Sequence, residues 1–432
     1  MIESRKMGDT MQPNHIHVHG MDIYLVPTDK FKTIGITFNF IAKHDPETIN
    51  FRALLPKVLI GATKHYPTKE SLQKQLDAYY GTSLSVYGTK AGFHHIMGIY
   101  VDFVNDRFVP GGESLTENVI ALLAEIIFEP RLYAGTFKKS LVNNEKRLLE
   151  EELEDLYHDK TSFAFERFKH EMFPHEIFRH SPRGMPGDFQ TMTPHALYDY
   201  YQDVLKHDGV SCWVVGDFNP QKMLNHLKSH FRFPEHKQSY HWLDTEKKTI
   251  KKPRFISEDN AVRQARLNIG FRTEIRMDHE LYPAMQIVNM YLGGDEHSLL
   301  FNEIREKEKL SYYIDSMYFA NKGLFVILAG VDNQKSEKTI KKILSVIEQV
   351  VDGDMDISLF RDAKKHVIRK LRHRMDSLRG LRIQHQWAWR LNGHFYQSEV
   401  SISRIQNTDE TQFIRALRTL KLDTVYTLKG VE

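Results

Sequence analysis

Near the start of the chain, apolar and polar residues alternate in two stretches, His17 to Leu25 and Thr33 to Ile41. Ile23 and Leu25, then Ile34, Ile36, Phe38 and Phe40, fall on one side. A period of two predicts strands. The period then changes. Leu54, Leu55, Val58 and Leu59 recur at helical spacing, and Thr68 is placed to cap a second helix that ends near Tyr79, before Gly81. Leu84–Tyr87 and His94–Phe103 alternate again as strands. Two long helical patterns follow, Leu115–Ile127 and Phe137 to about Tyr157. Pro182, Gly184, Pro186 and Gly187 predict a loop, and Thr193-Pro194 the first turn of a helix. Val210–Val215 reads as a buried strand ending at Gly216, and Pro220–His230 as a helix.

After a polar, Lys-rich stretch the order repeats. A strand (Ala265–Phe271), a helix (Tyr282–Leu292), the pair Gly293-Gly294 and a helix (Leu299–Lys307) come first. Strands Ser311–Phe319 and Leu324–Val331, a helix Ser336–Val351 and an Arg-rich helix from Ser358 to about Leu378 complete the series. The punctuation of 80–101 is similar to that of 310–331. The chain is therefore expected to be α+β: two homologous domains, each a mostly antiparallel sheet with helices packed on one face. The expected boundaries are 1–235 for the first domain, 236–255 for a linker and 256–432 for the second.

Composition narrows the function. Among 432 residues, 59 Lys+Arg against 56 Asp+Glu leave a formal charge of +3, too weak overall to predict nucleic-acid binding. Cys212 is the single cysteine and lies in an apolar run, so disulfide scaffolds and cysteine-based zinc sites are excluded and core filling is the expected role. No stretch has the roughly 20 apolar residues of a membrane span. Met1–Gln12 has no apolar signal-peptide core. Together these predict a cytoplasmic protein that binds no membrane.

No phosphate-binding glycine loop or dinucleotide fingerprint is present. Of the 23 histidines, His15, His17 and His19 alternate and would share a strand face, giving either an ordinary edge strand or a metal site. His175 and His180 are five residues apart, about 140° around a helix, and His170 has Pro174 four residues on; neither arrangement suits one metal. The acidic run Glu150-Glu151-Glu152, Glu154 and Asp155 reads as a solvated helix face.

Several segments together resemble the pitrilysin/insulinase class of metallopeptidases over nearly the whole chain. They are Ile23-Tyr24-Leu25-Val26-Pro27, the stretch Asp199–Gly216, and above all 292–312, reading LGGDEHSLLFNEIREKEKLSY. In that class, the resemblance implies, Arg305 and Tyr312 help hold the substrate. The first helix departs from the pattern. Aligning Leu59-Ile60-Gly61-Ala62-Thr63 puts Ala53-Leu54-Leu55-Pro56-Lys57 where the zinc motif HxxEH should be, with Glu152 near the distant third ligand. Ala53 has no lone pair to give, Pro56 is no base, and Lys57 is a cation that repels a metal. Arg52–Pro56, Tyr66-Pro67-Thr68, Glu145-Lys146-Arg147 and Tyr157–Lys160 resemble a degenerate subgroup of bacterial peptidase-like proteins associated with aminopentanol modification of elongation factor P.

This resemblance implies a pseudo-peptidase with no catalytic residue and no metal of its own. It would be one subunit of a two-component zinc peptidase, and the zinc would sit in a homologous HxxEH-bearing partner. Arg305 and Tyr312 would form part of a substrate-binding wall for peptides. The alternatives are a structural role for both, Arg305 pairing with Glu308 and Tyr312 lying in the core; an active hydrolase at an unrelated histidine site; and a scaffold that binds folded protein. Whether the isolated chain pairs with itself is open.

Overall fold

The computed structural model describes residues 12–110, 114–185, 187, 189, 192–235, 239–244 and 250–430. Met1–Met11, the loop residue Pro186, and residues 236–238 and 245–249 of the expected linker lie outside the described residues. The chain forms two compact units.

In the first unit, β1 (Asn14–Val18) and β2 (Met21–Pro27) form a hairpin, followed by β3 (Thr33–Lys43), α1 (Ile49–Leu59), α2 (Lys69–Ala78), β4 (Ser83–Ala91) and β5 (His94–Val104). Next come α3 (Leu115–Phe128), the small hairpin β6 (Leu132–Tyr133) and β7 (Thr136–Phe137), and α4 (Lys139–His158). After α5 (Lys160–Met172), which belongs to the second unit, the chain returns as α6 (Pro194–His207), β8 (Gly209–Gly216) and α7 (Pro220–His230). The single strand expected over His17–Leu25 is broken, because His19 and Gly20 both take positive φ and turn the chain back. Thr68 caps α2 as expected, in a reciprocal pair with Ser71.

The second unit contains β9 (Arg254–Asn260), β10 (Ala265–Arg272), α8 (Tyr282–Gly293), a π-helix (Phe301–Lys307), β11 (Ser311–Phe319) and β12 (Leu324–Val331). It continues with α9 (Ser336–Val351) and α10 (Ile357–Arg374). The helix α11 (Leu378–Asn392) then contributes most of its length to the first unit, and α12 (Ser398–Gln406), α13 (Glu410–Arg418) and β13 (Lys421–Gly430) complete the second.

The two sheets have matching topology. The first runs β1-β2-β8-β3-β5-β4 and the second β11-β12-β10-β13-β9. In each there is a single parallel pair, β2 with β8 and β13 with β9, and every other neighbour is antiparallel. With β1 set aside, β2, β8, β3, β5 and β4 correspond to β9, β13, β10, β12 and β11. The repeat read from the sequence is thus present at the level of strand pairing, and the α+β class holds.

The helices covering the main face of the second sheet bury a large aliphatic core around Ile269, Ile287, Val288, Ile327 and Phe413. The other face takes one helix, α5, whose Ala164, Phe168 and Met172 pack on Leu324, Val326 and Tyr426. β12 is therefore buried on both sides, which explains its unbroken apolar run. Gly270 is required there, since a Cβ would strike the Phe168 ring. In the first unit the equivalent helix is α11. Its Arg382 donates to the Tyr87 hydroxyl at 2.8 Å, which donates to Asn39 Oδ1 at 2.7 Å, so polar contacts join apolar ones in closing that face. Each unit thus takes one helix from the far half of the chain. Among the described residues no helix is long and apolar enough to cross a membrane.

Candidate functional site

The segment that replaces the zinc motif lies in α1. Helix formation there follows from the apolar side formed by Leu54, Leu55, Val58 and Leu59, all buried. Burial of that side holds the helix in spite of Pro56, which removes a backbone donor. Ala53 is buried. Lys57 reaches out of the helix and donates to both carboxylate oxygens of Glu152 on α4, at 2.8 and 2.9 Å. An ammonium therefore occupies the side of Glu152 that the resemblance assigns to a metal, and supplies the positive charge that carboxylate faces. Two turns earlier on α4, Glu145 is buried and pairs with Lys69 at 2.8 Å. The acidic run is thus divided: Glu152 holds Lys57, Glu151 holds Arg147 at 2.6 Å, and Glu154 and Asp155 are exposed.

Two further contacts fix α1. Asn50 accepts from the Met185 N–H at 2.7 Å and donates to the Met185 carbonyl at 3.2 Å, which ties the loop after Ser181 to the helix. Arg52 is fully buried. It lies 2.7 Å from Asp208 at the end of α6 and donates to the Phe40 carbonyl at 2.8 Å and the Tyr200 hydroxyl at 3.3 Å. Burial works against the guanidinium charge, but Asp208 and Tyr200 outweigh it and push its titration up. Burial raises the titration of Asp208 while Arg52 pulls it back. Neither pairing, Lys57–Glu152 or Arg52–Asp208, follows from the sequence alone. The available signal was a charged residue on an otherwise apolar helical side, which needs a counter-ion wherever it is buried.

The residues present at α1 do not fit zinc: a methyl group, an imino ring and an ammonium offer it no ligand. The histidines near the N-terminus are arranged differently from the sequence expectation. His15 and His17 lie on β1 but His19 sits in the turn, so the three do not share a strand face. His17 places one ring nitrogen 3.0 Å from Asp22 and the other 2.9 Å from Glu235, and these carboxylates raise its pKa. His15 lies 2.8 Å from Asp22 and stacks on Tyr24. Among the described residues, no group of three or more His, Cys, Asp or Glu could hold a metal ion. Zinc retained by the purified chain after gel filtration is expected to stay far below one ion per chain. A stoichiometric ion lost with His17→Ala and His19→Ala would instead establish a histidine site. Cys212 is fully buried, and burial pushes its thiol well above its ordinary pKa, which suits the core role.

Arg305 and Tyr312 lie in the second unit. Arg305 is on the π-helix, a rare conformation that recurs at functional sites. Its guanidinium stands over the Phe301 ring at 4.6 Å and 3.9 Å from Glu306, with the side chain 43% exposed. Glu308, the local partner weighed for it, instead faces Lys342 at 3.4 Å and Lys338 at 3.8 Å. Tyr312 is 52% exposed on β11, an outer strand of its sheet, so the alternative of a core tyrosine does not hold. Its hydroxyl donates to Asp332 Oδ1 at 2.6 Å, and this bond raises its pKa. The π-helix packs against β11. Exposed cation, exposed phenol and a strand edge with no partner strand among the described residues are thus carried on one continuous segment.

Residues 191–367 match the family model described as the Peptidase M16 inactive domain. The chain is 30% identical over 416 residues to the Bacillus subtilis (strain 168) protein named "Probable inactive metalloprotease YmfF", covering 96% of each chain. Among solved structures it is similar to a conserved protein from Enterococcus faecalis V583, with a TM-score of 0.91 and 24% identity over 97% of this chain and 99% of that one. It is also similar to a peptidase M16 inactive domain from Pseudomonas fluorescens, with a TM-score of 0.79 and 16% identity over 98% and 99%. A protease from Helicobacter pylori has a TM-score of 0.78 and 17% identity over 96% and 99%.

Proposed function

Because the chain belongs to the M16 metallopeptidase family, as one of its inactive members, we propose that it is the non-catalytic subunit of a two-component peptidase. It forms the substrate-binding wall of a chamber, and a homologous partner with an intact HxxEH supplies the zinc. The observation that supports this reading is an outer strand, β11, with no further strand beside it among the described residues, next to an exposed Arg305, in a chain whose own motif is filled by Lys57. β11 leaves one row of backbone groups unpaired, to which an extended peptide adds by main-chain hydrogen bonds. Arg305, always protonated, pairs with a peptide carbonyl or carboxylate. The single proton of Tyr312 rests on Asp332, so Tyr312 donates toward a substrate oxygen only by exchanging that bond. We place the complex in the cytoplasm, in keeping with a single cysteine that is buried.

The test mixes this chain with an HxxEH-bearing relative from the same source and follows size by sedimentation and cleavage of a quenched fluorescent peptide. A heteromer with raised cleavage is expected. Arg305→Ala should leave the heteromer intact and raise KM about ten-fold or more, as the loss of a hydrogen bond to a charged group would, about 1.5–3 kcal/mol. Unchanged cleavage with no heteromer sinks the reading. A heteromer whose KM ignores Arg305→Ala favours a scaffold for folded protein.

A further inference from the structure

We infer that the outward face of α10 is a docking site for an acidic polypeptide segment. The charge of the chain is unevenly placed. α10 alone holds seven Arg and Lys against Asp362, a formal +6, while the whole chain carries +3, so everything outside this helix sums to −3. Its inner side is apolar and buried, through Phe360, Ala363, Val367 and Leu371. Two of its lysines are used internally, at positions where a cation complements a helix C-terminus. Lys364 donates to the carbonyls of Gln406 and Thr408 at 2.8 and 2.7 Å, and Lys370 to that of Gly294 at 3.0 Å.

Four of the other five, all but Arg374, are arranged for an external partner. Arg361, Lys365, Arg369 and Arg372 are all exposed. At 100° per residue they lie within about 80° of arc, on a ladder roughly 16 Å long, opposite the buried side. Arg361, Arg369 and Arg372 have no ion pair or hydrogen bond among the described residues, and only Lys365 has a local partner, Asp362 at 2.9 Å. The four cations, spaced four, four and three residues apart, match carboxylates three or four residues apart on an acidic helix, and each of the three unpaired guanidiniums can engage one of them in a bidentate pair. The topological counterpart of α10 in the first unit, α4, exposes such a surface at Glu151, Glu154 and Asp155.

A protein partner is favoured over nucleic acid for two reasons. The ladder carries no aromatic side chain on which a base could stack. A duplex extends far beyond the roughly 16 Å ladder, whereas a short acidic segment engages the ladder alone.

The full chain is titrated against a fluorescein-labelled 15-residue oligoglutamate and, in parallel, against a duplex DNA of equal charge, in low and physiological salt. Binding of oligoglutamate that weakens with salt is expected, stronger than binding of the duplex. The variant Arg361→Gln/Lys365→Gln/Arg369→Gln/Arg372→Gln should lose at least ten-fold in affinity with an unchanged melting temperature, since all four side chains are exposed. The matching variant with Arg361, Arg369 and Arg372 each changed to Lys should retain part of the binding. No measurable binding, equal binding by the glutamine variant, or tighter binding of the duplex would each overturn the inference.

Discussion

Asp208→Ala is expected to destabilise the first unit by about 3–5 kcal/mol, since it strands the Arg52 guanidinium in the interior without its counter-ion. Arg52 is wholly screened from solvent, and its remaining bonds to Phe40 and Tyr200 satisfy donors but not charge. The loss should register in urea or thermal unfolding as an earlier transition. The double change Arg52→Met with Asp208→Leu is expected near the native stability, because a buried pair replaced whole by apolar groups costs little. A single-variant loss below about 1 kcal/mol would show that the pair is hydrated, contrary to its burial. Either way the outcome reports on α1, because Arg52 joins the helix that carries the lost motif to the end of α6.

The second large effect is acid lability. His95 is fully buried beneath α1, and burial, with Arg52 and His44 nearby, depresses its pKa to about 2. His385 on α11 is depressed by burial to about 4. In the unfolded chain both titrate near the ordinary histidine value of about 6.5. Below that value the unfolded state binds protons that the folded state refuses, so stability is full above it and falls as the solution is acidified. Two such groups remove about 2.7 kcal/mol per pH unit between roughly 6.5 and 4, or about 5 kcal/mol by pH 4.5. That is comparable to the whole stability of many domains, and unfolding in mild acid is expected. His17 has the opposite sign: its raised pKa favours the folded state below about 6.5 and that contribution fades as pH rises, but its exposure keeps the effect small. Equilibrium unfolding at several pH values should show the slope, and His95→Gln should remove about half of it. A stability that is flat from pH 6.5 to 4.5 would mean that both imidazoles reach solvent.

Part of the candidate site could be read directly from the chain. The degenerate motif needed only residue identities, because no conformation gives Ala53 or Pro56 a metal-binding lone pair. The role of Lys57 needed the fold. Its partner Glu152 is 95 residues away, and nothing in local periodicity pairs the two. Tyr312 is a similar case: an aromatic residue at the start of an alternating segment is compatible with core or surface, and only the position of β11 at the end of its sheet makes it exposed.

What the amino-acid sequence determined by itself is what depends on near neighbours and composition. It set the switch between periods of two and 3.6, the internal duplication, the missing metal ligands and the single cysteine. Tertiary structure alone decided which helix covers which sheet. α5 and α11 are amphipathic segments that each sheet could accept in principle, and each packs in the unit to which most of its half of the chain does not belong. The choice rests on shape at sites such as Gly270 under Phe168, and on counter-ions such as Asp208 for Arg52. These contacts form between residues far apart in the chain, where a one-dimensional pattern carries no information about distance.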